Sequence, residues 1–290
     1  MKYRITHRTT YEYSEDASLS QNELFLQPRE SPFQHVLESN LSVDPIPQYR
    51  QDRIDYFGNK ATVIMVQHHH IELMIEARST VETIVSASPK PTETLAWEKV
   101  AQEVLRHDYQ ESLFAYQFTF PSPMVQLPAG ARVYVKQFFP PGQPVLVGAL
   151  QLIEAIYKEF EYNKAATTVD TTVEQALTNK KGVCQDFAHV TISCLRSLGL
   201  PARYVSGYLE TTPPPGKPKL VGADASHAWL AIYIPGFGWV DLDPTNNLIP
   251  GEKHITLAWG RDYSDVTPVK GVVMGGGSHR LQVSVDVSHM

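Results

Sequence analysis

The sequence predicts an α+β protein, with a β-sandwich-like domain at the front and a mixed helix-and-sheet core behind it. Three observations carry this prediction. Up to about residue 88 the chain is rich in β-branched and aromatic runs, punctuated by Pro, Gly and Asn. The segment from 182 to 198 is apolar on nearly every side of a helix. Strand-like alternation takes over directly after it.

Taken in order, Tyr3–Tyr11, Ala61–Val66 and Ile71–Ala77 read as strands, and Pro45-Ile46-Pro47 and Phe57-Gly58-Asn59 mark turns between them. They define a first domain over residues 1–88, closed by Ser88-Pro89-Lys90-Pro91. Residues 89–146 read as a linker with one helix, Leu95–Arg106, followed by a Pro-spaced stretch with no assignable element. The core is expected over 147–290. Val147–Phe160 places Leu150, Ile153, Ile156, Tyr157 and Phe160 at helical spacing, and Thr172–Thr178 is a short second helix. From 182 to 198, Phe187, Thr191, Cys194, Leu195 and Leu198 share a face, while Ala188, Val190 and Ile192 leave little polar surface. A helix buried on all sides belongs at the centre of a domain. Gly199 and Pro201 end it. Strands follow over Ala202–Leu209, His227–Ile234 and Trp239–Asp243, with an exposed Pro-rich loop, Thr211–Lys219, that reads as a connection and, from its place before the His strand, as an alternative wall of the substrate groove. A last strand, Arg280–Val287, is assigned to the core after a flexible turn at Gly275-Gly276-Gly277, which lacks the Lys-Ser/Thr of a phosphate loop.

Composition narrows the partners. A chain of 290 residues with 42% apolar content supports about two folded domains. A net charge of −6 with no basic stripe argues against nucleic acid. No run reaches signal-peptide length or the roughly 20 apolar residues of a membrane helix, so no membrane partner is expected and a cytoplasmic home is the default. The two cysteines, Cys184 and Cys194, sit ten positions apart on one predicted helix. That separates them by about 15 Å, too far for a disulfide. Free thiols suit a reducing compartment.

The two thiols differ in setting. Cys184 falls in the first turn of the buried helix, where the positive end of the dipole and Lys180-Lys181 favour a thiolate. Gly182 leaves room for a substrate backbone. Cys194 lies mid-helix among Leu and Ile and reads as structural. A cysteine nucleophile needs a histidine base, and the histidine needs an orienting group. His227 opens one strand and Asp243 closes the next, across a hairpin at Pro235-Gly236-Phe237-Gly238. If Ile234 faces Gly238, the loop has three residues and Asp243 lies opposite Trp229. Asp243 is then diagonal to His227 on one face, at roughly 7–8 Å between backbones. An even loop would turn Asp243 to the other face. Asp241 is the rival carboxylate, with a surface or ion-paired role expected of it. Asp186 and His189, three apart on the helix, read as a structural pair. His68-His69-His70 invites a metal, but consecutive strand residues point to opposite faces, so a polar strand end is the better reading.

Three segments together resemble the signature of transglutaminase-like enzymes: Gly182-Val183-Cys184-Gln185-Asp186-Phe187-Ala188, Ala225-Ser226-His227-Ala228-Trp229, and Gly238-Trp239-Val240-Asp241-Leu242-Asp243-Pro244-Thr245. Tyr11-Glu12-Tyr13 and Asp55-Tyr56-Phe57-Gly58-Asn59 resemble the β region that precedes this core in the bacterial cysteine protease-like members. The resemblance implies a papain-like/transglutaminase-like core, with a Cys-bearing central helix on an antiparallel sheet that carries His and Asp. It further implies Cys184 as nucleophile, His227 as base and acid, and Asp243 as orienting group. The oxyanion would be held by the Cys184 backbone N–H and a second donor, with Tyr162 and Gln185 both open. The expected function is a cysteine-dependent amide or peptide hydrolase working through a thioester. The alternatives are acyl transfer to amines, as in a true transglutaminase, and an inactive binding module. No cofactor or metal is expected, since no acidic calcium loop is present. The expected partner is a peptide or protein amide substrate.

Overall fold

The N-terminal sheet is built on one long strand. In the computed structural model, which describes residues 1–84, 88–210 and 226–290, β1 (Lys2–Leu24) alternates buried Tyr3, Ile5, His7 and Thr9 with outward-facing Lys2, Arg4 and Arg8. Four more strands follow it: β2 (Gln34–Asp44), β3 (Tyr49–Ile54), β4 (Lys60–Val66) and β5 (His70–Thr83). The sheet order is β2-β5-β1-β4-β3, antiparallel throughout. Register slips between Glu12 and Ala17, so the first half of β1 pairs β5 and the second half pairs β4. Such irregularities bend a strand. Leu24, Leu41, Ile64, Val66, Leu73 and Ile75, from both wings of the curled sheet, meet in one apolar cluster. That is how a single sheet takes the sandwich-like form expected.

The helical layer comes next: α1 (Trp97–Arg106), α2 (Gln110–Tyr116), α3 (Ala129–Val135) and α4 (Val145–Glu159). The stretch from 107 to 146 is therefore not a bare linker. Pro spacing hides two short helices, and Val125, Ala131 and Val135 are buried in the main core. After β6 (Glu161–Tyr162), α5 (Val173–Asn179) and β7 (Lys181–Gly182) comes α6 (Cys184–Ser197), in which every residue from Asp186 to Arg196 is buried. It lies between α3, α4 and α5 on one side and a four-stranded antiparallel sheet on the other. That sheet runs β10-β9-β8-β11, from β8 (Ala202–Leu209), β9 (Ser226–Ile234), β10 (Gly238–Leu242) and β11 (His254–Gly260). Among the described residues no helix is long and apolar enough to cross a membrane.

The last strands, β12 (Val269–Gly275) and β13 (His279–His289), depart from the expected organisation. They do not extend the core sheet. They pair with β1, β12 along its second half and β13 along its first, making the N-terminal sheet seven-stranded. The catalytic-type core is thus inserted between strands of the β domain, rather than following it. Gly275, Gly276 and Gly277 all have positive φ (80°, 78° and 61°) in the turn that joins the two strands.

Two buried amides join the layers. Gln34 accepts from the Thr256 N–H (2.9 Å) and donates to the Thr256 carbonyl (2.6 Å). Asn59 does the same with Trp259, at 3.0 and 2.8 Å. β11 is the outer strand of the core sheet, so these amides occupy positions a neighbouring strand would fill. Tyr3, Ile5, Val81, Val285 and Val287 of the β domain share the core cluster with Tyr208, Leu230 and Ile255.

Candidate active site

Cys184 is the first residue of α6, half-buried and free. Its position is set by its neighbours. Asp186 Oδ2 accepts the Val183 N–H and the Thr167 hydroxyl, both at 2.8 Å, tying down the first turn. Gly182 is required: a Cβ there would lie 2.6 Å from Asp186 Oδ2. Asp186 and His189 do not form the expected pair. His189 instead accepts the Tyr263 N–H (3.2 Å) and packs on Tyr204, and burial lowers its pKa to about 4. Cys194 is fully buried and its thiol is pushed well up by desolvation. Arg196, also buried on α6, donates to the carbonyls of Ala202, Phe120 and Arg261 and anchors the far end of the helix.

The hairpin has the register that brings the other two groups together. Gly238 pairs Ile234, leaving three residues in the loop, and Asp241 pairs Ala231. Gly236 and Gly238, with φ of 83° and 85°, make that turn possible. One step beyond β10, Asp243 reaches back to His227: Nε2 and Oδ2 are 2.7 Å apart. Nε2 is thus committed to Asp243, and Cys184 at the head of α6 is near enough to favour the charged imidazole. Burial opposes the imidazolium, but the bonds to Asp243 and Cys184 outweigh it and raise the pKa from 6.5 to about 9.

Asp243 is fully buried and saturated. Besides His227, Oδ2 accepts from Asn246 Nδ2 (2.7 Å) and His254 Nε2 (3.1 Å). Oδ1 accepts the N–H groups of Thr245 (2.9 Å) and Asn246 (3.1 Å). Desolvation alone would raise its pKa; the donors, led by His227 and His254, hold it well below the usual carboxylate range. His227, Asp243 and His254 are spaced as metal ligands can be, within 4.8 Å of one another. Here N–H···O bonds already link them, and a cation would have to displace those protons.

Asp241 is half-buried beside a positive charge rather than free on the surface. It accepts from Trp229 Nε1 (3.0 Å), and burial raises its pKa against the favourable charge of Arg203. Arg203 is stacked between the rings of Trp239 (4.3 Å) and Trp259 (3.6 Å). Trp229 in turn packs on His227, with centroids 5.9 Å apart. Tyr162 is half-exposed beside Phe187, and its pKa is raised by partial burial and then by the charges of Cys184 and Asp186. His68 to His70 form the turn into β5, where His70 Nε2 bonds Ser20 Oγ (2.9 Å) and Nδ1 the His68 carbonyl (2.8 Å). Among the described residues they form no metal-ligand group. The Pro-rich loop Thr211–Lys219 lies outside the described residues.

His254 and Asn246 were not found from sequence. Asn246 is signalled, in retrospect, by the Asp-Pro-Thr-Asn turn. His254 gives no signal, because Ile255, Leu257 and Ala258 look like any short apolar run.

A buried Cys-helix facing a His- and Asp-bearing antiparallel sheet is the fold of the papain-like thiol enzymes. Within that class the chain belongs to the transglutaminase-like superfamily: the family profile of that name matches residues 135–244, and that of the bacterial transglutaminase-like N-terminal region matches residues 3–82. An uncharacterised protein of Mycobacterium tuberculosis is 37% identical across 99% of this chain and 92% of its own length. Another, from Mycobacterium leprae, is 33% identical across 100% and 99%. A protein-glutamine gamma-glutamyltransferase of Pseudomonas aeruginosa is 32% identical over 111 residues, 37% of this chain and 17% of its own. The crystal structure of a provisionally named cysteine protease from Cytophaga hutchinsonii has the same fold, with a TM-score of 0.78 at 23% identity over 99% of this chain and 90% of that one.

Proposed function

We propose that this chain is a cysteine-dependent amide or peptide hydrolase with Cys184, His227 and Asp243 as its triad. One observation supports the reading: His227 is fixed through Nε2 to a buried, saturated carboxylate, which leaves Nδ1 for the thiol that heads α6. His227 takes the Cys184 proton. The Cys184 thiolate attacks the amide carbon, forming a C–S bond as the carbonyl electrons move to oxygen. The Cys184 backbone N–H, with Tyr162 or Gln185 as the second donor, meets that oxyanion. Collapse breaks the C–N bond, and His227 gives its proton to the leaving amine. Water then attacks the thioester while His227 takes its proton, and breaking C–S releases acid and restores the thiolate.

The partial likeness to the Pseudomonas glutamyltransferase supports a second reading, in which an amine replaces water. An intact triad argues against a third, the inactive binding module. Product mass separates the first two. A glutamine or peptide substrate incubated with millimolar primary amine is expected to give free acid as the main product, and Cys184→Ala to give none. A dominant amine adduct would make the enzyme a transferase. Full turnover by Cys184→Ala would sink both readings.

A further inference from the structure

His254 is not one of the three residues that act on substrate in the reading above, yet it bonds the same carboxylate oxygen that His227 does. The two Nε2 atoms lie 2.7 Å (His227) and 3.1 Å (His254) from Asp243 Oδ2. We infer that His254 is a positioning residue, holding the Asp243 carboxylate in place and drawing off part of the charge it presents to His227.

The count of donors shows why this matters. A carboxylate offers about four lone-pair sites. Five donors converge on Asp243: two backbone N–H groups on Oδ1, and His227, Asn246 and His254 on Oδ2. The His254 and Asn246 bonds therefore compete with the His227 bond while pinning the plane of the carboxylate. His254 must carry its hydrogen on Nε2 to donate. Its Nδ1 is then left buried and without a partner among the described residues, an arrangement that a packing role alone does not explain.

The ring is rigidly held. Its side chain is 5% exposed, and the edge of Trp229 packs on it at 5.2 Å and 82°. Trp229 is itself fixed by Asp241. Two residues along β11, Thr256 is clamped by Gln34 of the β domain. The β domain thereby helps aim a group that acts on the triad. Among the described residues, the titratable and charged groups around this cluster are Cys184 on α6, Asp241 and Asp243 on and after β10, Arg203 on β8, His227 on β9, and Glu252, which lines a cavity of about 150 Å³ with His254 and Asp241.

This inference rests on the proposed triad, so the test reads thiol reactivity rather than turnover alone. Alkylation of Cys184 by iodoacetamide is followed against pH in the full chain, with buried Cys194 as internal control, for wild type and for His254→Gln, His254→Asn and His254→Phe. Gln places an N–H where Nε2 sits, whereas Asn and Phe do not. Removing the donor leaves more of the Asp243 charge to His227, so in the Asn and Phe variants the upper step of the alkylation profile, where His227 gives up its proton and frees the thiolate of its counter-charge, should move up by about half a pH unit. Their amide turnover should fall about tenfold as the carboxylate loosens. His254→Gln should return both readings close to wild type. If Phe does not fold, the Gln-against-Asn contrast decides. Gln and Asn behaving alike, or Phe keeping the wild-type profile and rate, overturns the inference. A wild-type profile without that His227-linked upper step would instead sink the triad itself.

Discussion

In the proposed mechanism His227 sets the pH range of the chemistry. Burial works against its charge, but Asp243 and Cys184 hold the proton, and the pKa rises from 6.5 to about 9. A group raised in the folded state adds stability that is complete below its unfolded value and vanishes as pH climbs through the folded one. Folding stability from this residue should therefore decline between about pH 6.5 and 9, and His227→Gln should flatten that slope in urea titrations at successive pH values. Turnover, which needs the imidazolium to protonate the leaving amine, should fall with an alkaline limb near pH 9. A kcat/KM profile still rising past pH 10 would contradict this. The residues that carry the site were legible because chemistry restricts them: few side chains can serve as nucleophile or base, and each sits at a strand or helix end. Asn246 and His254 were not, because hydrogen-bonding partners of a carboxylate can come from many residue types and from any strand that happens to pass by.

At the scale of elements, legibility followed periodicity. α6 and the β9–β10 hairpin were readable to within two residues, since one is apolar all round and the other has a two-fold alternation whose loop parity alone determines which face Asp243 takes. β2, β3, β11 and β12 were missed. β3 is exposed along its whole length, so no alternation of apolar and polar residues marks it. β11 carries a register shift between Thr256 and Ala258 that breaks the pattern of two. The junction of β7 with α6 is closely packed. Gly182→Ala would push a methyl into Asp186, at 2.6 Å from Oδ2, and detach it from the Val183 N–H and Thr167. We expect a loss of about 1–3 kcal/mol in unfolding free energy. Turnover should fall by an order of magnitude or more because Cys184 shifts with the turn. Unchanged melting and turnover would show that the turn can absorb the methyl.

For the whole molecule, the insertion of the core into the β domain is the feature that sequence could not supply. Nothing in residues 269–289 distinguishes a strand that completes a distant sheet from one that extends the nearest. The same holds for Gln34 and Asn59, whose amides take the place of a neighbouring strand along β11. Gln34→Ala should strand one N–H and one C=O of Thr256, at about 1–3 kcal/mol for each group left without water or partner. The expected result is a lower urea midpoint for a single cooperative transition, since the two layers share a core. Two separate transitions in wild type would show that the layers unfold independently.

The pairing of β1 with β12 and β13 also has a consequence in time. On the ribosome β1 is made long before the strands that cover its open flank. At ordinary synthesis rates it waits roughly ten to fifty seconds for residues 269–289 to emerge. During that interval β5 and β4 guard one side only. The other offers bare N–H and C=O groups to any passing strand, the situation that leads nascent chains to aggregate or to engage chaperones. Lys2, Arg4 and Arg8 line the outward face of that strand, and their like charges repel a second copy of it at the stage when it is most exposed.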